Sequence, residues 1–262
     1  MKESCRIETL KPDEVGTVVS IVKNSFEPLY LIPSIYRGDG IAHFIAAELQ
    51  NPYSMYRYFV LYEGDVLAGY AEYKIFENTS TAFLNIIAVN TQYKNQGIGK
   101  KLFLYTKNLF EKQGFGAIAL DVYESNTIAL NWYYGFGFIK TDTTPFYEVN
   151  PEKIADPDGS ICLQNYPQYR VVQEQYGFYF LDMNVGGESF RIGTIGNDAI
   201  VRGSYSDRLS RGLPHIRISL QLDKVYFIGK EIHPDFVFID RINRMELKIN
   251  YDNKKSGEQG II

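Results

Sequence analysis

The chain has 262 residues, 45% of them apolar and 22% charged, and a net charge of −4 at pH 7. This is the make-up of a soluble globular protein of one large domain or two small ones, and its negative balance argues against a nucleic-acid partner. Cys5 and Cys162 stand far apart, no stretch reads as a signal peptide and no apolar run approaches a membrane span, so we expect no disulfide framework, no membrane partner and a cytoplasmic location.

Arg6 to Leu10 alternates as a strand does. Pro12-Asp13-Glu14 then opens a helix, with proline and acids in its first turn and Val15, Val18, Val19, Val22 and Phe26 along one stripe. An irregular aromatic stretch, Glu27 to Gly40, precedes a second helix, Ile41 to Gln50, with Ile41, Phe44, Ile45 and Leu49 as its apolar face. Arg57 to Tyr62 and Val66 to Phe76 form a hairpin about Glu63-Gly64-Asp65. Within it Glu72 alternates with apolar neighbours and faces either solvent or a cleft.

Phe83 to Val89 has the length and β-branched content of a buried strand. After a polar connection, Gly97-Ile98-Gly99 opens a helix whose Ile98, Leu102, Tyr105, Leu109 and Phe110 recur at helical spacing as far as Gly114. Strand, glycine turn and helix together deliver unpaired backbone N–H groups and the positive end of a helix dipole to one spot. That is an anion site suited to a phosphate or pyrophosphate. It is not a Walker loop, since GxxxxGK[ST] is absent, nor a dinucleotide fingerprint, since Leu102 stands where a third glycine would fall. Ala117 to Tyr123 reads as a further strand, and Asn126 to Tyr134 as a short helix ahead of Gly135-Phe136-Gly137-Phe138.

Pro145, Pro151, Pro157 and the turn Asp156-Pro157-Asp158-Gly159 mark a boundary between residues 1–148 and 149–262. From Ser160 to Tyr251 short alternating segments recur about every ten residues, which predicts a smaller antiparallel β domain. His43, His215 and His233 are scattered without ligand spacing, so no metal is expected. Arg202 to Arg217, with Arg208 and Arg211, reads as a solvated basic loop, with an anion site as the alternative.

The stretches IAVNTQYKNQGIGKKLF and LDVYESNTIALNWYYGFGF together resemble the GNAT superfamily of N-acetyltransferases. Lys94, Gly97 and Gly99 occupy its first acetyl-coenzyme A motif; Asn126, Ala129, Tyr133, Gly137 and Phe138 occupy its second. Lys94 departs from the family's Gln or Arg, keeping the charge but not a forked contact. The resemblance covers about residues 1–148 and implies an α+β fold, a mixed central sheet flanked by helices.

It also implies transfer of an acetyl group from acetyl-coenzyme A to a primary amine, on a peptide, a protein or a small molecule. Pantetheine would pair along Ile87, Ala88 and Val89, and the pyrophosphate would rest on backbone N–H groups of Asn95, Gln96, Gly97, Ile98, Gly99 and Lys100, with Lys94 close by. Asn126 and Ala129 would complete the cofactor site, and Tyr133 would protonate the leaving thiolate. The base stays open among Asp121, Glu72, Glu124 and a chain of waters. Tyr30, Tyr36 and Glu72 are candidates for the acceptor side. The competing reading is a binding protein, a degenerate acetyltransferase domain that senses acyl-coenzyme A, and the second half could equally cover the cleft or build a homodimer.

Overall fold

The computed structural model describes residues 5–150, 160–234 and 236–249. Strand β1 (Cys5–Thr9) leads into α1 (Val15–Ser25), which buries Val15, Val18, Ile21 and Val22 at turn-by-turn spacing. The single turn α2 (Pro28–Leu31) and α3 (Ile41–Gln50) follow, α3 burying Ile41 and Ile45. Strands β2 (Tyr56–Glu63) and β3 (Val66–Phe76) reverse at Gly64, whose φ of 62° suits glycine. Then come β4 (Thr81–Val89), α4 (Ile98–Lys112), β5 (Ala117–Tyr123), α5 (Thr127–Gly135) and β6 (Ile139–Val149).

The buried face of α4 is Ile98, Leu102, Phe103, Thr106 and Phe110, while Tyr105 is exposed. Hydropathy hides Thr106 from such a stripe. Its hydroxyl is satisfied by Tyr73 Oη at 2.7 Å and by the Leu102 and Phe103 carbonyls, both at 3.0 Å, so burial costs little.

The second half runs β7 (Ile161–Leu163), α6 (Tyr166–Tyr176), β8 (Phe178–Val185), β9 (Glu188–Ile195), β10 (Asp198–Arg202), α7 (Asp207–Ser219), β11 (Lys224–Ile228) and β12 (Phe236–Lys248). Two stretches with strand-like alternation are therefore helical. In Ile216-Arg217-Ile218 the alternation misleads, because Ile216 is buried but Ile218 is 61% exposed. The helical spacing of Leu209, Leu213 and Ile216, behind the Ser206 cap that accepts from the Leu209 N–H, is the governing pattern. Only Tyr169 is buried in α6, which leaves almost no apolar period to detect.

The strands of the described residues join one 12-stranded mixed sheet, ordered β1-β2-β3-β4-β5-β12-β6-β11-β10-β9-β8-β7. Each half contributes a run of antiparallel strands ending in a parallel pair bridged by a helix, β4-α4-β5 and β10-α7-β11. The halves exchange their last strands. β6 pairs with β11 and β12, and β12 lies between β5 and β6.

A division near residue 148 thus cuts through β6, where Val149 opposes both Val225 and Phe236. The halves also share a core, in which Tyr123 and Phe146 pack with Ile195, Ile200, Tyr226, Ile228 and Ile242. The turn at Asp156 to Gly159 lies outside the described residues. The α+β class with a mixed central sheet and flanking helices holds.

Candidate active site

Strand β4 pairs with β3 along its whole length, but with β5 only from Thr81↔Ala117 to Leu84↔Leu120. Beyond Leu84 the parallel strands part, and the backbone edge of residues 85–89 that faces β5 has no strand partner among the described residues. An extended ligand with amide groups can pair there. A register shift against β3 falls at Asn85, between the pairs Tyr73↔Leu84 and Glu72↔Ile86, and such a bulge bends the strand. In the second half β10 and β11 stay paired from Asp198↔Lys224 to Arg202↔Ile228, so the equivalent gap is closed.

Past the gap the chain makes a tight turn. Asn95 has φ 62° and Gly97 φ 78°, and the Lys101 N–H bonds the Gly97 carbonyl at 2.9 Å as α4 begins. The N–H groups of Ile98, Gly99 and Lys100 precede that bond at the positive end of a 15-residue helix. A Cβ at Gly97 would meet nothing within 4 Å, so its backbone angle is what demands glycine. A Cβ at Gly99 would lie 3.5 Å from Val89 Cγ2, an ordinary contact; packing does not demand glycine there. Lys94, Asn95, Gln96 and Lys100 are exposed around this turn, whereas Lys101 is drawn away to Glu63 at 2.6 Å.

A cleft of about 300 Å³ continues from the gap. It brings together Ile87, Asn126, Ala129 and Tyr133 with Tyr30 and Asp121, and the second half adds Arg202 and Ile242. Asn126 caps α5, its Oδ1 accepting from the Ala129 N–H at 3.1 Å, which leaves its Nδ2 free to donate. Tyr133 lies two turns along the same helix, 8% exposed. Its hydroxyl makes no hydrogen bond among the described residues, and burial pushes its pKa well above the usual tyrosine value. Tyr134 is 47% exposed and lies off that face.

Asp121 reaches the cleft wall with both carboxylate oxygens engaged by Arg244, at 2.5 and 3.0 Å. Glu124 is likewise paired, with Arg241 at 3.0 Å. Tyr36 and Glu72 do not line the cleft; this corrects the expectation that they face the acceptor. They are 0% and 1% exposed. Glu72 Oε2 accepts from the Tyr36 hydroxyl at 2.5 Å and the Tyr70 hydroxyl at 3.1 Å, and its Oε1 accepts from Asn85 Nδ2 at 2.5 Å. Desolvation raises the Glu72 pKa against these donors. Asn85 closes the network off from the cleft.

Among the lining residues that the sequence pattern did not single out are Asn85, Tyr123 and Arg202. Asn85 had a visible signal, being the one polar residue inside the run Phe83 to Val89. Tyr123 passes as strand core, and Arg202 as the start of a basic loop. Among the described residues no group of three or more His, Cys, Asp or Glu could hold a metal ion, and no helix is long and apolar enough to cross a membrane.

The open strand edge, the left-handed glycine turn and the capped helix bearing Tyr133 coincide with a stretch, residues 23–138, that matches the model of the acetyltransferase (GNAT) family. Residues 23–138 are a GNAT acetyltransferase domain. It belongs to an acyltransferase class that moves an acyl group from acyl-coenzyme A to an amine.

Two solved structures share the fold over nearly the whole chain. A tandem GNAT protein from the clavulanic acid biosynthesis pathway is 11% identical with a TM-score of 0.71, over 94% of this chain and 99% of that one. A GCN5-related N-acetyltransferase from Sphaerobacter thermophilus is 10% identical with a TM-score of 0.61, over 94% and 96%. At such identities the likeness is one of fold, and it extends past the GNAT domain into the second half. No curated protein matches the chain in sequence.

Proposed function

We propose that the chain transfers the acetyl group of acetyl-coenzyme A to a primary amine by direct attack, with Tyr133 as the general acid. The observation that carries this reading is the unpaired β4 edge running into the cleft that also holds the unbonded Tyr133 hydroxyl. Pantetheine amides would pair along Ile87, Ala88 and Val89, and the pyrophosphate would take the N–H groups of residues 95–100, with Lys94 and Lys100 adding charge. The acetyl group supplied there is a thioester. The amine nitrogen bonds to its carbonyl carbon, the carbon–sulfur bond breaks, and the departing sulfur takes the Tyr133 proton.

The amine's own proton passes to water in the cleft. Asp121 is held by Arg244 and fixes the cleft wall, and Glu72 is shut behind Asn85. The test is thiol release from acetyl-coenzyme A across a panel of primary amines. Amine-dependent release is expected; coenzyme A binding with no amine-dependent release would leave an acyl-coenzyme A sensor as the better account.

A further inference from the structure

We propose that Arg202 and the hydroxyl of Tyr123 form a binding site for a carboxylate carried by the acceptor amine, an inference that rests on the acetyl-transfer reading of this cleft. Both residues line the cleft beside Tyr133, and they come from opposite halves of the chain. Tyr123 ends β5, is 7% exposed, and has a buried hydroxyl with no hydrogen-bond partner among the described residues. Its ring is fixed against Tyr30 and Phe146, with centroids 5.1 and 5.9 Å away. A buried hydroxyl left unpaired is costly unless something completes it.

Arg202 ends β10 and has no ion pair or hydrogen bond among the described residues. The nearby carboxylates are already engaged. Asp121 is held by Arg244, and Asp240 accepts from Ser125 Oγ at 2.5 Å and the Arg241 N–H at 2.7 Å. Lys74, the second cation of the cleft lining, makes no ion pair among the described residues, its ammonium lying over the Tyr56 and Phe76 rings. The wall therefore carries unbalanced positive charge, although the whole chain is at −4. The planar fork of an arginine matches a carboxylate in two-point contact, and the tyrosine hydroxyl adds one more donor. The second half, whose own β10–β11 gap is closed, thus supplies acceptor selection in place of cofactor binding.

The test uses the full chain and amines in matched pairs: free amino acids against their carboxamides, and γ-aminobutyrate against butylamine. Coenzyme A is first titrated calorimetrically into wild type and Arg202→Gln. If wild type does not bind it, the acetyl-transfer reading itself falls. With binding intact and equal, kcat/KM is expected to favour the acid over its neutral counterpart by about 10-fold or more, the scale of a charged hydrogen-bonded contact. Arg202→Gln should bring that ratio near parity through KM rather than kcat, Arg202→Lys should recover part of it, and Tyr123→Phe should narrow it less. Wild type that uses neutral amines as well as acids, an Arg202→Gln variant that keeps the ratio, or no turnover of any carboxylate-bearing amine overturns the carboxylate site and leaves the cofactor reading standing.

Discussion

Asp121 on β5 and Arg244 on β12 stand opposite each other and form a two-point ion pair, Nε to Oδ1 at 2.5 Å and Nη2 to Oδ2 at 3.0 Å. The pair ties the cleft wall of the first half to the last strand of the second, and the guanidinium also lies 5.0 Å over the Phe83 ring. With side chains 36% and 49% exposed, solvent screens the attraction. A contribution of about 0.2–1 kcal/mol is expected. Asp121→Asn and Arg244→Gln should each lower Tm by roughly 1–3 °C, and a double-mutant cycle should show them coupled. If Asp121→Asn alone erased the acidic limb of the kcat/KM profile, Asp121 would be the base after all.

Tyr133→Phe removes one oxygen and little volume. It should lower kcat by about 10²-fold while changing KM for acetyl-coenzyme A far less, because that contact is assigned to backbone groups elsewhere. Tyr134→Phe, on the exposed face, should be nearly silent. Because burial raises the Tyr133 pKa, the phenol keeps its proton past the ordinary tyrosine value of about 10. Its loss of a proton should therefore impose no falling limb on kcat below that pH. Full turnover in Tyr133→Phe would return the residue to packing.

Glu72 predicts a contrast between two substitutions. Glu72→Leu leaves the Tyr36 and Tyr70 hydroxyls only each other, 2.8 Å apart, so one of the two O–H groups loses its acceptor, at about 1–3 kcal/mol. Glu72→Gln keeps an acceptor for both, once Asn85 turns its amide oxygen toward the new NH₂, and should cost much less. The raised pKa means that the folded state holds the proton more tightly than the unfolded state. The stability due to Glu72 is then complete below about pH 4 and lost as pH rises through its folded value. Melting curves across pH should be flatter in Glu72→Gln, and Glu72→Leu as stable as wild type would show that the network contributes nothing.

Gly99→Ala separates cofactor contact from folding. Its added methyl meets only ordinary contacts within the chain, so the variant should fold like wild type. A bound pyrophosphate would be crowded, and calorimetry should show coenzyme A affinity falling by about tenfold or more. Gly97→Ala adds strain from its φ of 78°, on the order of 1 kcal/mol, and should lose stability as well as affinity. Unchanged affinity in folded Gly99→Ala would remove the pyrophosphate from this turn.

The exchange of β6 and β12 predicts that neither half is complete alone. A fragment of residues 1–148 lacks the β12 partner of β5 and both partners of β6. It should be insoluble or unfolded, and the full chain should melt in one transition. A soluble, monomeric fragment with a sharp melt of its own would show that the first half closes without the exchanged strand.

What the sequence alone determined is local. The turn at Gly97, the helix after it and the Asn126 cap each depend on neighbours within one strand–turn–helix unit, so backbone angles, capping and apolar period were readable from the residues in order. Tyr133 followed, since residues three and four apart share a helix face. Tyr36, Glu72 and Arg202 depended on tertiary structure. Alternation says that a residue points to one face of a sheet, but not whether that face meets a cleft or a closed network, and it left Glu72 open to both. Nor does alternation say which strand lies alongside. The pairing of β12 with β5, and the arrival of Arg202 beside Tyr123, are contacts between residues about 80 to 130 apart along the chain. Such contacts are set by the joint burial of both halves, which no window of sequence contains.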